Sequence, residues 1–174
     1  MIVAPFLGGG NPNLPGDAWT YGASAFLVFS NGNATVTCTL SSGSGEAVWC
    51  ARQADPSAVE VVEFVIDAFG ANNTVELGVG SGAGGIGAGY RWTAGGTEGF
   101  VGGVGGYAPL GVGAVVGIKL SGGVASFYCN GVFQASVSGQ IPAVLTAVFS
   151  GAVTGQTRTI TLRTDPATFS HSYP

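Results

Sequence analysis

Apolar and polar residues alternate along most of this chain in short runs, and turn residues separate the runs. The stretch "ASAFLVFS" is followed by Asn-Gly-Asn, then by "ATVTCTL", a Ser/Gly loop and "AVWCAR". Next come "SAVEVVEFVIDAF", "GANN", "TVELGVGS", a glycine-rich region, "AVVGIKL", "GGVASFYCNGVFQASV", "AVLTAVFSG" and "TRTITLR". Strand-length runs with a turn about every 8 to 12 residues predict an all-β sandwich or barrel, not a chain of βαβ units. Only "SAVEVVEFVIDAF" has helical appeal, because Pro56 stands where a helix could start. Its Val, Ile and Phe content predicts a strand instead.

The turns carry their own chemistry. Asn130-Gly131 sits between two runs rich in β-branched and aromatic residues, the strongest short hairpin signal, because a two-residue type I′ loop needs positive φ at both positions. Asn tolerates that conformation and Gly meets no penalty in it. Ala125 and Phe127 share one face of this hairpin and are expected inside, where an aromatic ring fills the space between sheets. Tyr128 and Phe133 fall on the other face. Alternation alone leaves open which of the two is core.

Charge changes the picture. Apolar residues make up 46% of the 174 positions and charged ones only 8%, against about 25% in an average soluble protein. Such a surface is covered by Ser, Thr, Asn, Gly and backbone, a coat suited to extracellular or viral β-proteins and to subunits of an assembly. The net charge is −4, and Lys119, Arg52, Arg91, Arg158 and Arg163 form no basic stripe, so no nucleic-acid partner is expected. The longest nearly apolar run, "IPAVLTAVF", is far shorter than the roughly 20 residues of a membrane-spanning helix, and no membrane span is expected. "MIVAPFLGGGNPNLPGD" has no basic n-region and breaks into Gly and Pro after Leu7, which reads as an extended arm and not as a secretory signal. The expected organisation is an arm over residues 1–18 and a sandwich domain over 19–174. In the arm, Ile2, Val3, Phe6 and Leu7 offer apolar side chains to a neighbouring subunit.

The residues for catalysis are few. His171 is the single histidine and lies in "FSHSYP", where a solvated or edge-packed ring is the plain reading. Any Ser-His-Asp or Cys-His triad would have to use it. Glu63 and Asp67 share a strand face, but four residues at about 3.3 Å each set them about 13 Å apart, beyond the roughly 5 to 9.5 Å of glycosidase carboxylate pairs. A pair drawn from two strands, such as Glu63 with Glu76, stays open. Cys38, Cys50 and Cys129 are odd in number. A bridge between Cys38 and Cys50, on apparently neighbouring strands, stands beside the reading of buried thiols, and neither spacing nor a lone histidine makes a zinc site. The expectation is no enzyme, no cofactor and no metal.

Residues Gly78 to Gly113 hold 16 of the 32 glycines, interleaved with Tyr90, Trp92, Phe100 and Tyr107. Disordered segments are poor in aromatics, so these rings are expected to anchor loops. "GSGAGG" matches G-x-G-x-x-G, yet no helix follows it and no P-loop lysine is present. The candidate ligand- or partner-binding residues are Tyr90, Arg91, Trp92, Glu98, Phe100 and Tyr107. Glycines let a backbone approach a partner closely, and aromatic planes beside Arg and Glu suit a sugar or a protein surface. Alternation in "GYRWT" offers the competing reading, with both rings on one strand face as sandwich filling and Arg91 opposite.

The segments "FVIDAF", "VELGVGS", "GYAPLGVGAVVGIKL", "ASFYCNGVF" and "IPAVLTAVF" occur in the order and at roughly the spacing of SPRY domains. Upstream, "LVFSNGNATVTCTL" and "AVWCARQ" resemble the leading segment of SPRY-like domains in bacteriophage structural proteins. The resemblance spans about residues 19 to 171. It implies a two-sheet antiparallel β-sandwich of the jelly-roll, concanavalin-A-like type. It also implies a virion structural or surface protein, as capsid decoration or tail-fibre adhesion subunit, assembled in the host cytoplasm. The implied partners are other virion proteins, further copies of the chain and a host-surface glycan. Two departures stand out: the Asp of the family's "GD" step is Ala114 here, and the late "nFG" signature survives only as "LRTDPATF". The family's ligand-binding loops have no fixed residue code, so none is carried over. A free carbohydrate- or peptide-binding module and a sandwich hydrolase are the alternative readings.

Overall fold

The computed structural model describes residues 19, 26–39, 45–53, 59–68, 73–82, 85–93, 96–99, 111–139, 144–151 and 157–174. Among them are twelve strands: β1 Leu27–Ser30, β2 Thr35–Thr39, β3 Gly45–Gln53, β4 Glu60–Ala68, β5 Asn73–Gly82 and β6 Gly85–Thr93, then β7 Gly96–Gly99, β8 Val115–Ser121, β9 Val124–Cys129, β10 Val132–Ser138, β11 Val144–Gly151 and β12 Thr157–Arg163. They form a seven-stranded sheet in the order β1-β2-β12-β4-β8-β9-β10 and a five-stranded sheet in the order β3-β11-β5-β6-β7. Every pairing is antiparallel. The fold is the all-β, two-sheet sandwich that the alternation and the resemblance imply.

Period-two patterning sorts β4 across the sheet. Val62, Phe64 and Ile66 are buried in the core with Val116, Ile118, Phe127, Ile160 and Leu162 of the same sheet, and Val75, Leu77 and Val79 of β5 close the core from the other sheet. Trp19 is fully buried as well, its ring 5.8 Å from that of Phe64. Arg158 takes an inward position on β12 opposite Cys38 and is fully buried. Burial pushes its guanidinium below the ordinary range, and Cys38 partly opposes this.

Turn chemistry appears where the sequence places it. Asn31, Gly32 and Asn33 all have positive φ between β1 and β2, and Asn130 (48°) with Gly131 (78°) turns β9 into β10. Asn130 also ties the turn to the neighbouring strand β8: its backbone N–H donates to Val115 O (2.8 Å) and its Oδ1 accepts from Val115 N (2.9 Å).

The charge-poor coat is visible on the outer face of β2 and β12. Three threonine pairs face each other there, Thr35–Thr161, Thr37–Thr159 and Thr39–Thr157, with hydroxyl oxygens 2.8, 3.1 and 3.3 Å apart. Thr161 donates to Asp67 Oδ2 at 2.6 Å and Asn31 Nδ2 donates to Thr35 Oγ1 at 3.0 Å. The donors therefore run in one direction, from Asn31 through Thr35 and Thr161 to Asp67. Cross-strand pairs of this kind stabilise a sheet by about 0.2–1 kcal/mol each.

Two expectations are corrected. Cys38 lies on β2 and residue 50 on β3, strands of different sheets, so the two are not cross-strand neighbours. Cys38 and Cys129 are buried thiols. Much of the glycine-rich stretch is strand and not loop, since β5, β6 and β7 run through it to Gly99. Sheet pairing uses backbone N–H and C=O groups, which glycine supplies as well as any residue.

Candidate functional site

After β12 the chain makes a single 3-10 turn, Pro166–Thr168, and crosses the outer face of the seven-stranded sheet. Asp165 caps the turn, its Oδ1 accepting from Ala167 N at 2.9 Å, and Pro166 at its start lacks the amide that would go unused there. Residues 169–174, "FSHSYP", then lie over β4, β8 and β9. We refer to residues 165–174 as the strap.

Under the strap lies Glu63, fully buried on the outward side of β4. Ser170 N donates to both carboxylate oxygens at 2.9 Å and His171 N donates to Oε1 at 3.1 Å. Tyr173 OH donates to the same oxygen at 2.7 Å. Arg163, directly opposite Glu63 in the sheet register, donates to Oε2 at 3.3 Å. A buried charge is tolerated only when it is paired and hydrogen-bonded, and this one has both. Arg163 also binds the strap, donating to Thr168 O (3.2 Å) and Ser170 Oγ (2.6 Å).

The ring of Tyr173 fits because β8 carries Gly117 beneath it. A Cβ at that position would overlap Cε1 and Cζ of the ring and lie 2.7 Å from its hydroxyl oxygen. Tyr128 closes the other side, its ring 5.0 Å from that of Tyr173 and edge-on to it, with its hydroxyl donating to Pro174 O at 3.1 Å. Burial, and then the bond to and charge of Glu63, push the Tyr173 phenol far above its ordinary value. His171 packs at the hairpin, where a Cβ on Gly131 would meet its Cγ and Nδ1 at 3.0 Å.

This arrangement decides the carboxylate question for β4. Glu63 and Asp67 accept bonds from their neighbours, and Glu63 is closed off by the strap. Position 76 lies on β5, in the other sheet. Sequence reasoning weighed Glu63 only as an acid or base and missed the strap altogether. One signal was present: an isolated glycine inside "AVVGIKL" marks a close approach by something else.

The sequence-predicted binding residues fall elsewhere. Tyr90, Arg91 and Trp92 lie on β6 and Glu98 on β7. Register sets Tyr90 opposite Leu77 and Trp92 opposite Val75, both buried residues of β5. Arg91 stands opposite Glu76 on one side and Glu98 on the other, which brings three charged positions into one row of the register. Phe100 and Tyr107, and the arm residues Ile2, Val3, Phe6 and Leu7, lie outside the described residues. Among the described residues no group of three His, Cys, Asp or Glu side chains is placed to hold a metal ion, and no helix is long and apolar enough to cross a membrane.

No family model matches the sequence, and no curated protein matches it. Solved structures do match the fold. The SPRY domain of human HERC1 is similar at a TM-score of 0.53 and 15% identity, over 78% of this chain and 91% of that one. The alginate lyase from Corynebacterium sp. has a TM-score of 0.53 at 12% identity, over 82% and 80% of the two chains. The metal-free carbohydrate recognition domain of Emp46p has a TM-score of 0.51 at 9% identity, over 91% and 94%. The chain thus has the sandwich fold shared by SPRY domains, lectin-type domains and polysaccharide-active enzymes.

Proposed function

We propose that the protein is a non-enzymatic structural or surface subunit of a bacteriophage virion. In this reading a SPRY-like sandwich is presented for contact with other virion proteins, including further copies of the same chain. The observation that carries the reading is the state of the two edges of the seven-stranded sheet. β1 and β10, the two edges of the seven-stranded sheet, contain neither a charged residue nor a proline. Val28 (64% exposed) on β1, with Val132 (64%) and Phe133 (54%) on β10, face solvent there. Proteins that work alone blunt such edges with Lys, Pro or bulges, because open edges pair with other chains. β10 does carry one bulge, between Phe133 and Ala135, yet Val132 and Phe133 stay exposed even though the Phe133 ring meets that of Tyr128 edge-on. A subunit that is covered on assembly has less need of such devices.

Two further points support the proposal. The segments in the order of SPRY domains fall on β4, β5, β8, the β9–β10 hairpin and β11, and the two that resemble phage SPRY-like domains fall on β1, β2 and β3. Glu63, the fully buried carboxylate among the described residues, serves packing, and its oxygens are already bonded. Host-glycan contact belongs to the row of Arg91 and Glu98 on β6 and β7 and to the following segment with Phe100 and Tyr107. The test is quantitative mass spectrometry of phage particles purified by density gradient from the source culture. The chain should be present at a fixed copy number per particle. Its absence from purified particles, with the protein present in the lysate, contradicts the proposal.

A further inference from the structure

We infer that the groove over β4, β8 and β9 is a peptide-binding site that receives residues 169–174 of a second copy of this chain as well as its own strap. The inference stands on the groove and does not depend on the virion reading. Its floor is made of Glu63, Gly117 and Tyr128, all buried. What covers them is the strap, and no strap residue is itself buried: six of its ten residues are exposed and four half-exposed. The groove floor is thus hidden by an occupant that itself stays at the surface.

The recognition chemistry is complete and local. Two consecutive backbone amides, Ser170 and His171, reach the Glu63 carboxylate, and the tyrosine two positions later reaches the same oxygen. The missing side chain at Gly117 makes the slot for that ring. Among the described residues every donor to Glu63 except Arg163 comes from the strap. Withdrawing the strap leaves a carboxylate, an open ring slot and the Tyr128 hydroxyl. These match the same extended segment from another copy: two free amides followed by a tyrosine. Surface segments open locally at lower cost than core strands, and exchange of an identical segment between protomers creates no new interface chemistry.

A tethered strap competes at an effective concentration on the order of millimolar, so exchange shows when one copy's strap is weakened. The test uses the full chain carrying Tyr173→Ala and a fluorescein-labelled FSHSYP peptide, read by anisotropy. Saturable binding is expected, with apparent affinity for the wild-type chain lower by about 100-fold because its own strap fills the site. Binding should vanish in the Glu63→Ala/Tyr173→Ala double variant and for a scrambled peptide. A folded Tyr173→Ala chain that binds no peptide, or binding indifferent to Glu63→Ala or to scrambling, overturns the inference. Hydrogen exchange on the wild-type chain tests the same point if the variants do not fold. The Ser170 and His171 amides must exchange by local opening, faster than amides of β4 and β8; exchange only with global unfolding overturns the inference.

Discussion

Replacing Gly117 by alanine puts a methyl group where the Tyr173 ring lies, and the sign of its effect depends on that ring. Gly117 sits within β8, outside the positive-φ region that favours glycine. With nothing above it, Gly→Ala there would stabilise by about 0.4–1 kcal/mol through the unfolded chain. With the ring in place, the added Cβ overlaps Cε1 and Cζ. Two responses are open to the protein. Overpacking costs about 1–3 kcal/mol. Expelling the ring instead forfeits the Tyr173–Glu63 hydrogen bond, worth about 1.5–3 kcal/mol for a charged acceptor, along with the edge-on contact to Tyr128. Subtracting the unfolded-state gain leaves a net loss of about 1–2 kcal/mol. In a Tyr173→Ala background the same substitution should be neutral or stabilising, so the two changes couple strongly in a double-mutant cycle. Urea unfolding followed by circular dichroism gives the four midpoints. A Gly117→Ala chain at least as stable as wild type, with Tyr173 intact, would refute the packing described for the strap.

Phe127→Ala should cost about 3–5 kcal/mol, because the ring is fully buried between the sheets; thermal or urea unfolding checks it, and a loss below about 1 kcal/mol contradicts the assignment of the core face. Stability should fall as pH rises above about 10, the ordinary tyrosine value. The Tyr173 phenol is held far above that value in the folded state, so its contribution is complete below about 10 and is lost as the unfolded chain, not the folded one, releases the proton. Tyr173→Phe should remove that slope, and identical profiles for the two proteins contradict the account. Phe100→Ala and Tyr107→Ala should weaken binding of wild-type-bound glycans or host cells without changing the melting temperature; unchanged binding by both folded variants moves the contact elsewhere.

Alternation made the core legible. In "VVEFVID" it separates Val62, Phe64 and Ile66 from Glu63 and Asp67, and Asn130-Gly131 announces the turn that the φ angles display. These are local signals, written in neighbouring residues. The glycine-rich stretch misled for a related reason: with few side chains to alternate, β6 and β7 leave little pattern, although their backbones pair in full register. The pair Cys38 and Cys50 misled because successive strands usually pair, whereas here the chain changes sheets between β2 and β3. The strap was hidden most deeply. Gly117 announces that something comes close, but the residues that come close lie at the far end of the described chain, and no periodicity links them. Likewise "FSHSYP" has the composition of a solvated segment, and only the carboxylate of Glu63 gives it a place.

The central claim, that this sandwich is a subunit made for assembly through the uncharged edges of its seven-stranded sheet, is tested most directly by size-exclusion chromatography with light scattering on the intact chain and a Val132→Lys/Phe133→Lys variant. The intact chain should show a mass above that of the monomer that grows with concentration, and the variant, its β10 edge now charged, should fall to the monomer mass with its melting temperature kept. An intact chain that stays monomeric at every concentration, and is indistinguishable from the variant, contradicts the account.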